Sequence, residues 1–191
     1  MYTSKLLQHI DIVEHNIGHR KQEMDLAIEG IIDEYLRVNG ESSETNLRTV
    51  FATDYYVHHR NPKFAPIIEI VTDYVNEYQR QIFKAYANLG VYNCWGALYE
   101  ENDSCLSHDH FPAAVSTILY LQIENRNTVA PLVFTDSNYA INPYNGLLVM
   151  FPGVMNHFVP PTKSKRIVLS MNFSIVPEIV MEDDNNVQSK T

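Results

Sequence analysis

Three histidines and one arginine stand at spacings that could do chemistry. His108 and His110 are two apart in Ser107-His108-Asp109-His110-Phe111. In an extended strand residues i and i+2 project from the same face, so both imidazoles can reach one ion while Asp109 points away. His157 lies in Asn156-His157-Phe158, just after Gly146-Leu-Leu-Val-Met-Phe-Pro152, a strand ending in a turn, and can supply a third ligand from across a barrel. Arg166 follows nine residues later in RIVLSMNF, where alternation puts Arg166, Val168, Ser170 and Asn172 on one face. An arginine among β-strands needs an acidic side chain or a bound carboxylate, which its planar guanidinium can grip with two hydrogen bonds. A His-x-His pair alone is weak evidence for a metal; the ordered set of four carries the reading. It predicts a metal centre held by His108, His110 and His157 beside an anion grip at Arg166.

The remaining candidates have plainer readings. His15 and His19 are four apart on an expected helix, but without a third ligand they read as an exposed polar face. His58 and His59, being adjacent, cannot share a strand face and read as loop or surface. Cys94 and Cys105 are too few for a disulfide scaffold and lack a Cys-x-x-Cys spacing, which makes a reducing cytoplasm the default. Cys105 reads as a small buried residue, Trp95 as core rather than substrate platform, and Asp109 as a solvated acid or a partner of a ligand.

The elements that must position these residues come in two textures. Residues 3 to 38 read as helical, with Leu6, Ile10, Val13 and Ile17, then Met24, Ile28, Ile31 and Tyr35, at spacings of three and four; Gly18 and Gly30 argue against one continuous rod. A polar loop over 39–49 separates them from a second helix beginning at Asn61-Pro62. Its stripe of Phe64, Ile67, Ile68, Val71, Tyr74, Val75, Tyr78, Ile82, Phe83 and Tyr86 runs until Asn88 and Gly90 stop it. After Gly90 come about seven short β-type runs, VYNCWGALY, HDHF, AVSTILYLQI, APLVF, GLLVMF, NHFV and RIVLSMNFSIV. Strands and helices do not alternate, so the fold class is mainly β with N-terminal helices: an antiparallel sandwich or barrel with long helices covering one sheet from outside.

Composition narrows the function classes. The 191 residues are 45% apolar and 19% charged, enough for one packed domain, and 23 acids against 14 bases leave a formal net charge of −9. That sign disfavours nucleic acid, whose unspecific binding needs a basic surface. No run approaches the roughly 20 apolar residues of a membrane span, and no export or insertion signal is visible. The expected organisation is a single domain over 1–177, with helical support over 1–90 and a β core over 91–177, followed by an acidic tail over 178–191.

The set of His-x-His, distal His and Arg within short strands resembles the iron(II) and 2-oxoglutarate-dependent oxygenases on the double-stranded β-helix, a jelly roll of cupin type. The resemblance covers about residues 91 to 175. Asn93-Cys94-Trp95-Gly-Ala, Ser116-Thr-Ile-Leu-Tyr120-Leu, Pro131-Leu-Val-Phe134, Gly146–Pro152 and Arg166–Asn172 are similar to a subgroup of small oxygenases of bacteria and phages, close to the prolyl hydroxylases. The resemblance implies an enzyme, an oxidoreductase in which His108, His110 and His157 are the metal-binding and catalytic residues. Iron(II) is the implied metal, 2-oxoglutarate the co-substrate, dioxygen the oxidant and ascorbate an optional addition. Arg166, Tyr120, Tyr99 and Asn172 would form the co-substrate set, and Asn93, Ser116 or Asn172 would set imidazole tautomers. The implied reaction is hydroxylation of a C–H bond on a small molecule or peptide, coupled to decarboxylation of 2-oxoglutarate to succinate and CO2. The sequence departs from the family pattern at His110, where a carboxylate ligand is usual, and in Glu100–Ser104 and Val129-Ala130-Pro131, where glycines are usual. Two other readings stay open: a cupin-like three-histidine protein holding zinc, nickel or iron for other chemistry or metal sensing, and a non-catalytic jelly-roll interaction module. The aromatic helix also permits a homodimer.

Overall fold

The structure is a computed structural model and describes residues 12–43, 47–82, 84 and 87–176. Two antiparallel sheets face each other. The six-stranded sheet has the order β1-β9-β6-β11-β4-β3, from β1 (Val13–Asn16), β3 (Phe51–Ala52), β4 (Leu89–Tyr99), β6 (Val115–Ile123), β9 (Leu147–Pro152) and β11 (Arg166–Ile175). The five-stranded sheet has the order β2-β5-β10-β7-β8, from β2 (Leu47–Arg48), β5 (Ser104–His108), β7 (Leu132–Phe134), β8 (Tyr139–Ile141) and β10 (His157–Val159). Two helices, α1 (Lys21–Arg37) and α2 (Ala65–Ile82), complete the fold.

Alternation along the large sheet produces two cores. In β11, Leu169, Met171 and Phe173 pack toward the helices, whereas Val168 packs between the sheets. The same division puts Val115, Leu119 and Leu121 of β6 on the helix side and Tyr120 inside, and in β9 it parts Leu148 and Met150 from Leu147, Val149 and Phe151. Because both faces of these strands are covered, they read as nearly continuous apolar runs. The helices supply the outer cover through Met24, Ala27 and Ile31 of α1 and Ile67, Val71 and Val75 of α2, each set spaced three or four apart. Gly96 of β4 is what lets α1 come close, since a Cβ there would overlap the buried Ile31 side chain.

The second helix starts where its sequence signal places it. The Asn61 side chain accepts from the Lys63 backbone N–H at 3.1 Å, Pro62 opens a 3-10 turn over Pro62–Phe64, and α2 continues from Ala65. Phe83 and Tyr86 of the expected stripe lie outside the described residues, as do Leu6 and Ile10 of the first.

The expectation of helix over residues 3 to 38 is corrected where the structure describes it, from residue 12, while 3–11 lie outside the described residues. Val13–Asn16 is an edge strand paired with β9, in register Val13↔Met150 to Asn16↔Leu147, and the helix begins only at Lys21. Val13 and Ile17 fit a helical spacing, yet Val13 is half-buried from a strand and Ile17 is buried from the turn after it, where the Ile17 N–H donates to the Gly146 carbonyl at 2.8 Å. His15 and His19 therefore do not share a helix: His15 sits in β1 against the Tyr74 ring, 5.0 Å between centroids, and His19 is in the turn. The region before residue 90 also contributes β1, β2 and β3 to the sheets, and β8 is a strand the sequence reading left out.

One ion-pair cluster fixes the loop that reaches the functional end of the molecule. Glu34 of α1, 4% exposed, accepts from Arg37 at 2.9 Å and from Arg60 at 2.7 Å, and Arg60 also pairs with Asp54. Burial alone would raise the Glu34 carboxyl, but the hydrogen bonds from Arg60 and Arg37 outweigh it and hold it below the ordinary glutamate value. The segment so anchored carries Tyr55, whose carbonyl accepts from the Cys94 N–H at 2.8 Å and whose ring meets Trp95 edge-on. Among the described residues, no helix is long and apolar enough to cross a membrane.

Candidate metal centre

His108 and His157 are brought together by strand pairing: β10 lies against β5 with His157 directly opposite His108, and against β7 with His157 opposite Phe134. His108 ends its strand, so His110 is not held by the ladder that the two-residue spacing suggested. Its N–H instead donates to the Gly153 carbonyl at 2.7 Å, in a turn closed by the Phe111 N–H donating to Asp109 Oδ1 at 3.0 Å. Gly153 makes that approach possible, because a Cβ there would meet the Ala113 carbonyl. The ring centroids are 4.8 Å apart for His108 and His110, 4.5 Å for His108 and His157, and 4.9 Å for His110 and His157. One ligand nitrogen from each lies within 4.8 Å of the others, a spread that one ion could draw together.

The surroundings keep these imidazoles neutral. His157 is 2% exposed and packs against Phe151 and Phe134, and His110 against Trp95 and Phe151. Burial, reinforced by mutual repulsion, depresses the His110 pKa to about 2 and that of His157 to about 4, and it also lowers that of His108. Neutral rings offer lone pairs, which is the state a metal requires.

The other ring nitrogen of each histidine decides which lone pair is free. His108 Nδ1 lies 2.7 Å from the Leu106 carbonyl and His157 Nδ1 3.0 Å from the Met155 carbonyl. A carbonyl only accepts, so both Nδ1 atoms carry the proton and both Nε2 atoms are free to ligate. His110 differs: its Nδ1 stands 3.4 Å from Asn172 Nδ2, whose amide is oriented by the Ser116 hydroxyl donating to Asn172 Oδ1 at 2.7 Å. Ligation through His110 Nε2 would require the Asn172 amide and the Ser116 hydroxyl to turn over together. Asn172, grouped in the sequence with the co-substrate residues, thus touches His110. It lies six residues, about 20 Å of extended strand, from Arg166.

Arg166 occupies the far end of the cavity that the three histidines line, together with Tyr99, Tyr120 and Cys105. The space free of atoms in the cavity and its open mouth together is about 390 Å³. Arg166 is 2% exposed; Nη1 donates to the Ala130 carbonyl at 3.0 Å and the guanidinium lies 4.1 Å over the Tyr99 ring and 5.9 Å from that of Tyr120. Its Nε has no partner, and among the described residues no carboxylate pairs with it. A buried cation with an orphaned donor fits a carboxylate ligand entering the cavity, and the three neutral imidazoles fit a divalent metal. Burial raises the pKa values of Tyr99 and Tyr120, so both hydroxyls stay protonated. It also pushes the Cys105 thiol, 3.6 Å from His108 Nδ1, up to about 12, so Cys105 stays a protonated thiol in the metal-free chain.

Sequence reasoning missed Tyr55, which sits in a loop with no periodic signal, and it read Trp95 as core. Trp95 is 6% exposed, yet it lines both the inner cavity and a second, outer one on the other side of His108 and His110. The carbonyls of Leu106 and Met155 are backbone groups that no sequence motif marks.

No family model and no curated protein matches the chain. Solved structures do. A prolyl-4-hydroxylase of Pseudomonas putida superposes with a TM-score of 0.65 at 17% identity, over 88% of this chain and 95% of that one. The viral collagen prolyl hydroxylase of Paramecium bursaria Chlorella virus-1, solved as a 2-oxoglutarate complex, gives 0.64 at 14% identity, over 86% and 96%. A Trichoplax adhaerens prolyl hydroxylase, in complex with a hypoxia inducible factor oxygen degradation domain peptide fragment, gives 0.66 at 13% identity, over 86% and 84%. The fold is therefore the two-sheet β fold that these prolyl hydroxylases share. At these identities the likeness is one of fold.

Two outcomes follow. All three histidine pKa values are depressed in the folded chain, so the unfolded chain binds more protons once pH falls below about 6.5. The stability these groups allow is complete above that value and is lost below it; urea unfolding of metal-free protein should show a decline between pH 6.5 and 5. The depressed carboxyls of Glu34 and Asp54 add no loss until the ordinary carboxylate range near 4. Asn172→Leu should weaken metal binding about 10- to 100-fold in a competition titration, and Asn172→Asp, which can accept from His110 Nδ1, should restore most of it.

Proposed function

We propose that this protein is an iron(II)- and 2-oxoglutarate-dependent oxygenase that hydroxylates a C–H bond. The observation that carries the reading is the uncompensated Arg166 guanidinium, buried in the same cavity as three histidines whose nitrogens converge. Arg166 would take the distal carboxylate of 2-oxoglutarate, replacing an unmet donor with a charge-assisted bond. The protonated hydroxyls of Tyr99 and Tyr120 flank that position and would donate to the same carboxylate. His108, His110 and His157 would hold iron(II) through neutral nitrogens, leaving its charge uncancelled by the protein and so favouring an anionic co-ligand. Ile118, Leu132, Val159 and Val168 wall the cavity and would exclude water from the reacting centre. When bound, iron(II) and 2-oxoglutarate supply with dioxygen the oxidising power for C–H hydroxylation, and 2-oxoglutarate leaves as succinate and CO2.

The absence of a carboxylate among the three metal-facing residues favours one other reading, a three-histidine metalloprotein whose chemistry makes no use of 2-oxoglutarate. Succinate formation separates the two. Purified protein with iron(II), ascorbate and air should convert 2-oxoglutarate to succinate slowly even without a second substrate. Arg166→Gln should raise the half-saturating 2-oxoglutarate concentration at least about tenfold, the worth of a hydrogen bond to a charged group. Iron-dependent oxygen consumption with no succinate would instead favour the second reading.

A further inference from the structure

The histidine cluster divides two chambers of opposite polarity. The inner one ends in the Arg166 cation. The outer one, about 590 Å³ including its open mouth, is lined by Tyr55, Tyr92, Asn93, Trp95, Asp109 and Phe111 besides His108, His110 and Asn172. Among the described residues no lysine or arginine borders it, and Asp109 is the one carboxylate that does. Asn93 is 8% exposed, and its Oδ1 is buried with no hydrogen-bond partner among the described residues. A buried acceptor left unmet costs about 1–3 kcal/mol, which a donor on an entering molecule would remove. Asn93 stands opposite Asn172 across β4 and β11, one side chain from His110. The walls are aromatic: Tyr55 and Trp95 meet edge-on at 5.0 Å, Tyr92 is 42% exposed and Phe111 76%.

We infer that the outer chamber selects a substrate whose entering arm ends in a guanidinium, as on an arginyl side chain. This rests on the oxygenase reading, since it names that site's substrate class. The unmet acceptor at Asn93 and the carboxylate of Asp109 both call for N–H donors, and the aromatic walls suit a flat cation that stacks on rings. An ammonium also carries charge, but only the planar group can stack on a ring and donate from its edge in two directions. The opposite polarity of the chambers would also keep a dicarboxylate and a cationic substrate from exchanging places. A prolyl ring carries neither a donor nor a charge and would leave Asn93 Oδ1 unmet.

The test uses the full chain loaded anaerobically with iron(II) and 2-oxoglutarate, titrated by calorimetry with N-acetyl-argininamide, its neutral isostere N-acetyl-citrullinamide, and N-acetyl-prolinamide. The arginine probe should bind at least fivefold more tightly than the other two. Asp109→Asn should remove most of its advantage over citrulline, and Asn93→Ala should weaken both of those probes. Equal binding of arginine and citrulline probes, tighter binding of the proline probe, or an arginine preference untouched by Asp109→Asn would overturn the inference. Titrating 2-oxoglutarate into the iron-loaded protein keeps the two claims apart. If 2-oxoglutarate binds and the arginine probe shows no preference, the substrate assignment alone fails; if 2-oxoglutarate does not bind, the oxygenase reading fails.

Discussion

A guanidinium closed off from water, with no carboxylate beside it among the described residues, is the constraint around which this molecule is arranged. Removing an unpaired ion from water costs several kcal/mol even after relaxation, and Arg166 recovers only part of that from one carbonyl and the face of Tyr99. Such a group persists because the strands around it are bound on both sides: β11 lies between β4 and β6, with Arg166 in register with Tyr99 and Ile123. The same pairings place Val168, Ser170 and Asn172 along one inward row, so the strand that buries the cation also reaches the histidine cluster. Helices α1 and α2 contribute from a distance by covering the other face of that strand.

The histidine cluster depends on less regular devices. Two members face each other across a strand ladder, and the third hangs on a turn fixed by Gly153 and Asn172. Three neutral nitrogens bring no charge of their own, so the cavity's electrostatics are set by Arg166 within and Asp109 outside. Two chambers of unlike sign meeting at one cluster give each incoming molecule a separate place.

Much of this was legible in the sequence where local rules and tertiary packing agree. Alternation in Arg166–Asn172 marked the inward row, Asn61-Pro62 marked the start of the second helix, and the His-x-His spacing marked two of the converging rings. The reading went wrong where one pattern serves two structures. Val13 and Ile17 satisfy a helical spacing but pack on the core from an edge strand and the turn after it, because β9 offered an unpaired edge. The short strands β2, β3 and β8 carry too few residues for any period to register. Tyr55 reaches the outer chamber from a loop anchored by the Glu34–Arg60 pair and by the Cys94 N–H, contacts between residues 26 and 39 apart in sequence that no local pattern encodes.

The central claim is that the cavity joins a metal at the three histidines to a dicarboxylate at Arg166. The most direct measurement is an anaerobic titration of the purified chain with iron(II) and 2-oxoglutarate, followed by visible absorption. A 2-oxo acid chelating iron(II) through its keto and carboxylate oxygens gives a metal-to-ligand charge-transfer band. The account predicts a band that needs both additions and vanishes in His157→Ala. Iron binding with no band at saturating 2-oxoglutarate, or a band that survives loss of His157, would contradict it.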